Sequence, residues 1–181
     1  MKKDFFKDSK IKFPAYEPWI SNDDKKILNK TLSQSMLTLG PQLEKFESDF
    51  CKYSNSKYAI AVSNCTAALH LSLMALGIKK NDEVIIPDLT FVADANAILA
   101  CNAKPVITDI NKENFFLSIS NIKKNITKKT KAIIPVHIYG QVCNIDEILD
   151  VAKDNNLKVI EDCAHAVGTF HKSKHVGTLG S

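Results

Sequence analysis

The hydrophobic and polar positions change period along the chain, and those changes divide it into elements. Ser21-x-x-Asp24 has the form of a helix-capping box, and Ile27, Leu28 and Leu32 behind it repeat at helical spacing. Leu39-Gly40-Pro41 interrupts that face and seeds a second helix with Leu43, Phe46 and Phe50 on one side. Further on, short apolar runs rich in Val and Ile alternate with helical segments. The runs YAIAV (58–62), EVIIP (83–87), PVITDI (105–110), KAIIPVHI (131–138) and LKVIED (157–162) predict strands. Segments at 65–77, 91–101, 118–126 and 144–155 predict helices, the last capped by Asn144 with Ile145, Ile148, Leu149 and Ala152 on one face. Continuous apolar strands alternating with helices predict an α/β fold, a mainly parallel sheet with helices on both faces.

The two ends depart from this alternation. Pro14 and Pro18 disfavour helix, so residues 1–20 read as an extended lead-in. GTFHKSKHVGTLGS reads as a short strand, a Lys-rich turn and a second short strand. A parallel sheet closing there would leave an edge or a face uncovered, and the apolar helix at 65–77 has almost no polar side. A disordered tail is the plainer reading of the end, but the apolar helix favours a truncated larger protein, and that is the expectation.

Composition narrows the class. With 181 residues, 45% of them hydrophobic and 24% charged, the chain is neither disordered, collagen-like nor a coiled coil, and one domain is the default at this length. The net charge of +4 is carried largely by lysine pairs in polar segments (Lys25-Lys26, Lys79-Lys80, Lys123-Lys124, Lys128-Lys129), without the interleaved aromatics of a nucleic-acid groove. Cys51, Cys65, Cys101, Cys143 and Cys163 are odd in number and lack a C-x-x-C spacing, which predicts reduced, buried thiols in a cytoplasmic protein. Tyr58 to Ile78 carries no charge, but Ser63, Asn64, Thr66, His70 and Ser72 argue against a bilayer span. The expectation is a soluble protein with no nucleic-acid or membrane partner.

Candidate chemistry gathers at three strand ends, where ligands of open parallel sheets bind. Ser63-Asn64-Cys65-Thr66-Ala67 joins the first strand to a helix, whose free N–H groups and Thr66 hydroxyl could hold a phosphate; plain capping by Ser63, Asn64 or Thr66 is the simpler reading. Neither G-x-G-x-x-G nor G-x-x-x-x-G-K-[ST] occurs. Glu161-Asp162 closes LKVIED, with Val159 and Glu161 on one face and Ile160 and Asp162 on the other. Such a carboxylate pairs either with a lysine or with a cationic ring nitrogen, and His165 follows close enough to line the same pocket. Phe91, after EVIIPDLT, could stack on a flat ligand, although its spacing with Ala95, Ile98 and Leu99 equally describes a helix core face. An anion cradle, an aromatic plate and a carboxylate at one sheet edge suit a phosphorylated, nitrogen-bearing aromatic cofactor such as pyridoxal phosphate.

From about Trp19 to Ser181 the sequence resembles the DegT/DnrJ/StrS family of pyridoxal-phosphate-dependent nucleotide-sugar aminotransferases. TLGPQLEKFESDF, SNCTAALHLSLMALGI, NDEVIIPDLTFVADANAILACNAKPVITDI, TKAIIPVHIYGQVCNIDEI and VIEDCAHAVGTF follow in family order and spacing. The resemblance implies a partial large domain of the fold-type I aminotransferase fold, with an arm and helices over 1–54, an incomplete cofactor-binding domain over 55–181, and the C-terminal small domain absent. It implies that Thr66 and the Ala67 backbone bind the cofactor phosphate, with Cys65 where the commonest form of the motif has Gly. Phe91 would stack on the pyridine ring, Asp162 would pair with its nitrogen, and His165 would lie near its phenolate oxygen; His137 receives no firm role.

In the family, the segment after V-G-T-L-G-S continues to a Ser-Phe-x-x-x-Lys-type motif, so the Schiff-base lysine is expected beyond Ser181 and the chain alone is expected to be inactive. The implied reaction transfers an amino group, from a donor such as glutamate, to a keto group of a nucleotide-linked deoxysugar in a homodimeric enzyme that feeds polysaccharides or glycosylated metabolites. A sugar dehydratase of the same family, with histidine in place of the lysine, and a non-catalytic remnant remain alternatives.

Overall fold

The computed structural model describes residues 18–181, so most of the lead-in, Pro14 included, lies outside the described residues. Two units are distinguished, one ending at Glu44 and one running from Lys45 to Ser181. The first holds α1 (Asn22–Leu32), started by the expected capping box: Ser21 Oγ accepts the Asp24 N–H at 3.1 Å, and the Ser21 N–H donates to the Asp24 carboxylate at 2.7 Å. Helix α2 (Pro41–Ser54) begins at the expected proline.

The second unit is built on a parallel sheet of β1 (Glu83–Pro87), β2 (Lys104–Thr108), β3 (Thr130–Ile133) and β4 (Lys158–Val159), in the order β2-β1-β3-β4. Every residue of β1 is buried, which is why its sequence is a continuous apolar run rather than an alternation. Helices α3 (Cys65–Ala75) and α4 (Ala93–Ala100) cover one face, where Leu69, Leu73, Ala97 and Ile98 meet Val84, Ile86 and Ile134. Helices α5 (Ile119–Asn125) and α6 (Ile145–Asp154) cover the other, where Ile122, Ile145, Ile148 and Val151 meet Ile85, Ile133 and Val159. The alternation of Ile85 and Ile86 between the two cores is the strand period made visible.

Several sequence expectations change. YAIAV forms no strand ladder among the described residues; Ala61 N–H donates instead to the Glu47 carboxylate at 2.8 Å, and Ile60 is 82% exposed. The third ladder ends before Pro135, which has no N–H to give. Pairing then resumes through Asp162 N–H to Pro135 C=O and His137 N–H to Asp162 C=O. Asn144 occupies the N-cap of α6 without making a side-chain cap bond.

The expected closing hairpin is present as β5 (Phe170–His171) and β6 (Lys174–His175), with His175 set among Phe50, Tyr53 and Phe170. The edge of β4 is not bare. Ser181 N–H donates to Val159 C=O at 2.9 Å, and Ser181 Oγ accepts the Val159 N–H at 3.1 Å. Gly180 makes this approach possible, since a Cβ there would lie 2.6 Å from the Val159 carbonyl oxygen. The lysine pairs are exposed as expected.

Because both cores are closely packed, Leu73→Ala on one face and Ile148→Ala on the other should each cost about 2–5 kcal/mol. Urea unfolding of the two variants checks this; a loss below about 1 kcal/mol at either position contradicts a two-sided core.

Candidate functional site

The loop after the apolar run 58–62 turns directly into α3. Asn64 is its N-cap and accepts the Ala67 N–H at 2.9 Å, while its carbonyl accepts the Ala68 N–H. The simple capping reading therefore holds for Ala67. The N–H groups of Cys65 and Thr66, and the Thr66 hydroxyl, have no partner among the described residues, so these are the donors open to an anion.

Asp162 follows β4 and is buried, with 5% exposure. Its Oδ1 accepts the Ala164 N–H at 2.9 Å and faces the Cys65 thiol at 3.6 Å. Burial, then the negative charge of Asp162, pushes the Cys65 thiol up to about 11, so it stays protonated and acts as a donor to the carboxylate. Cys65 is exposed, contrary to the expectation of five buried thiols; Cys101 and Cys143 are buried, Cys51 and Cys163 half-buried, and all five are free. Among the described residues, no lysine, arginine or histidine pairs with Asp162.

Asp94 joins this group and was passed over in the sequence. It sits in the first turn of α4, is fully buried, accepts the Thr90 hydroxyl, and keeps Oδ1 without a hydrogen-bond partner among the described residues. Burial, followed by the opposing effect of the Thr90 bond and by repulsion from Asp162, brings its carboxyl up to about 6. A signal was available: Ala93, Asp94, Ala97 and Ile98 fall on one helical stripe, and a charge on a buried stripe is unusual. The stripe also displaces the expected core face, since Phe91 precedes α4 and is 72% exposed, and Leu99 is exposed too. His165 is exposed and stacked on Tyr139 at 5.6 Å and 10°.

The neighbouring Glu161 points to the opposite side and has a different task. Its Oε2 lies 3.0 Å from His137 Nε2, and its Oε1 accepts the Leu179 and Gly180 N–H groups at 2.8 Å each. Burial works against its charge, but His137 and the N–H groups of Gly177, Leu179 and Gly180 outweigh that and hold the carboxyl below its ordinary value. His137, Glu161 and Cys163 are close enough to suggest a metal centre. The hydrogen bonds exclude it in this form: His137 Nδ1 accepts the Cys143 N–H at 3.2 Å, so Nε2 carries the proton and donates to Glu161.

A parallel sheet with its unsatisfied polar groups at the carboxyl ends of the strands has the form of the open α/β proteins that bind ligands there. The profile of the DegT/DnrJ/EryC1/StrS aminotransferase family matches residues 18–181, and the chain belongs to that family. It is 45% identical over 168 residues to GDP-perosamine synthase of Escherichia coli O157:H7, covering 92% of this chain and 46% of that protein. The solved aminotransferase of Psychrobacter cryohalolentis superposes with a TM-score of 0.86 at 36% identity, over 91% of this chain and 43% of that one. NtdA of Bacillus subtilis, solved with bound cofactor PMP, gives 0.77 at 38% identity over 82% and 35%. The chain spans less than half the length of these curated relatives and structures. No described helix is long and apolar enough to cross a membrane.

The buried Asp94 generates a pH prediction. Its folded-state pKa, about 6, lies above the unfolded value of 3.8, so its ionisation costs nothing below about pH 4 and its full amount above pH 6. Asp94→Asn should therefore stabilise the fold at pH 7.5 by about 1–3 kcal/mol, with the gain shrinking toward pH 4.5. Urea titrations at both pH values check it; a gain independent of pH contradicts it.

Proposed function

We propose that the protein uses pyridoxal phosphate to transfer an amino group, from a donor such as glutamate, to the keto carbon of a nucleotide-linked deoxysugar, as part of a homodimeric enzyme. The observation that carries this reading is the electrostatic incompleteness of the Asp162 site. Two buried carboxylates that repel each other have no cationic partner among the described residues, and Oδ1 of Asp94 has no hydrogen-bond partner among them either. A protonated ring nitrogen supplies the missing charge, and the open donors at the start of α3 suit the phosphate of the same molecule. The similarity to GDP-perosamine synthase supports a nucleotide sugar as substrate.

The residues fit the cofactor as follows. Asp162 would hold the ring nitrogen in its protonated state, and the Cys65 thiol and Ala164 N–H would fix the orientation of that carboxylate. The N–H groups of Cys65 and Thr66 and the Thr66 hydroxyl would bind the phosphate; the Ala67 N–H would join only by leaving Asn64. Phe91, free of the core, would lie over the ring, and His165 would stand near its phenolate oxygen. When bound, the cofactor supplies an electron sink for the carbon that gains or loses nitrogen. Residues 55–181 would then be the cofactor-binding part of the large domain, and 1–54 an arm with helices.

Pyridoxamine phosphate, which cannot react with surface lysines, is the probe for this site. The wild-type chain should bind it, and Asp162→Asn should weaken binding about 10- to 100-fold through loss of a charge-assisted hydrogen bond, read by cofactor fluorescence. Absent binding, or equal binding by Asp162→Asn, overturns the site. For the reaction, the protein expressed from its gene should move ¹⁵N from labelled glutamate into the sugar; a sugar without ¹⁵N contradicts the transfer.

A further inference from the structure

Asp94 is the one group in the described site that the proposed function leaves without a task. It is fully buried in the first turn of α4, one oxygen takes the Thr90 hydroxyl, and the other has no partner among the described residues. A structural aspartate at a helix start would accept backbone N–H groups or pair with a cation, and this one does neither.

The groups around it account for its state. Helix α4 packs on α3, β1 and β2. Those elements carry Cys65 and His70 on α3, Glu83 on β1 and Lys104 on β2. Glu83 and Lys104 pair with each other at the amino-terminal starts of their strands, whereas Asp94 lies beyond the carboxyl end of β1. Asp162 is the charged group acting on Asp94, and the Cys65 thiol feels both carboxylates. The arrangement is two buried carboxylates of like sign, both acting on one thiol that is itself exposed.

We propose that Asp94 is a second carboxylate of the cofactor site, one that holds a proton in mildly acidic solution while the site is empty and gives it to solvent when a cationic ring nitrogen enters beside Asp162. This rests on the reading of Asp162 as the ring-nitrogen partner. The balance is simple: the Asp94 O–H bond breaks, the proton goes to buffer, and the carboxylate formed takes a share of the ring's positive charge. The energetic sense is that of any coupled pair: two buried carboxylates that repel each other do not readily ionise together, and a cation beside one of them eases the ionisation of the other. The carboxyl value of about 6 places the change within an accessible range.

Calorimetric titration with pyridoxamine phosphate in two buffers of different ionisation enthalpy counts the protons released on binding. At pH 6 the wild-type chain should release about half a proton more than Asp94→Asn, and at pH 8, where Asp94 is already ionised, the difference should vanish. Protons lost by the ligand's own phosphate cancel in this difference. Asp94→Ser serves as a second variant should the Asn side chain disturb α4. Binding with equal proton release by wild type and both variants overturns the role of Asp94 and leaves Asp162 in place. Failure of the wild type to bind overturns the Asp162 reading itself.

Discussion

Two adjacent carboxylates, just beyond the carboxyl end of β4, govern how this chain is arranged. Strand geometry sends Glu161 and Asp162 to opposite faces, and each must be met there because an ionised carboxylate away from water costs several kcal/mol. Glu161 is met in full, by the Nε2 proton of His137 and by backbone N–H groups of the segment 177–180. The same bonds draw residues 179–181 alongside β4, where Ser181 occupies the strand's open edge. One buried charge thus organises a histidine, a loop and a sheet edge.

Asp162 is met only in part. A thiol at 3.6 Å and one backbone N–H are modest partners for a buried negative charge, and Asp94 beside it makes the balance worse. Comparing the two neighbours separates structure from chemistry. Where the chain needed stability it supplied donors, and where it left a deficit it also left open N–H groups, an exposed aromatic ring and loop ends. In the proposed reading, that deficit is kept for a ligand that completes it.

The architecture was legible because it rests on periodicity. EVIIP is apolar on both faces and the α6 stripe has the helical period, so the central strand and the helices followed from pattern, whereas LKVIED contributes only Lys158–Val159 to the ladder, with Lys158 exposed. YAIAV misled because apolar β-rich residues specify a strand only when a hydrogen-bonding neighbour exists, and here Glu47 takes the Ala61 N–H. The α3 start, Asp162 and the Phe91 loop could be singled out in the sequence because each follows an apolar run at a strand's carboxyl end. Asp94 was not, because its significance lies in a missing partner, and no spacing rule reports what a side chain fails to touch. The roles of His137 and Glu161 also needed coordinates, since the tautomer follows from which ring nitrogen meets the Cys143 N–H.

The central claim is that the Asp162 site is built for a cation. ¹⁵N NMR of pyridoxamine phosphate labelled at the ring nitrogen, bound to the chain at a pH where the free ligand is neutral at that atom, tests it most directly. The account predicts the shielded resonance of a protonated pyridinium, lost in Asp162→Asn. A bound ligand showing the resonance of a neutral pyridine nitrogen would contradict it.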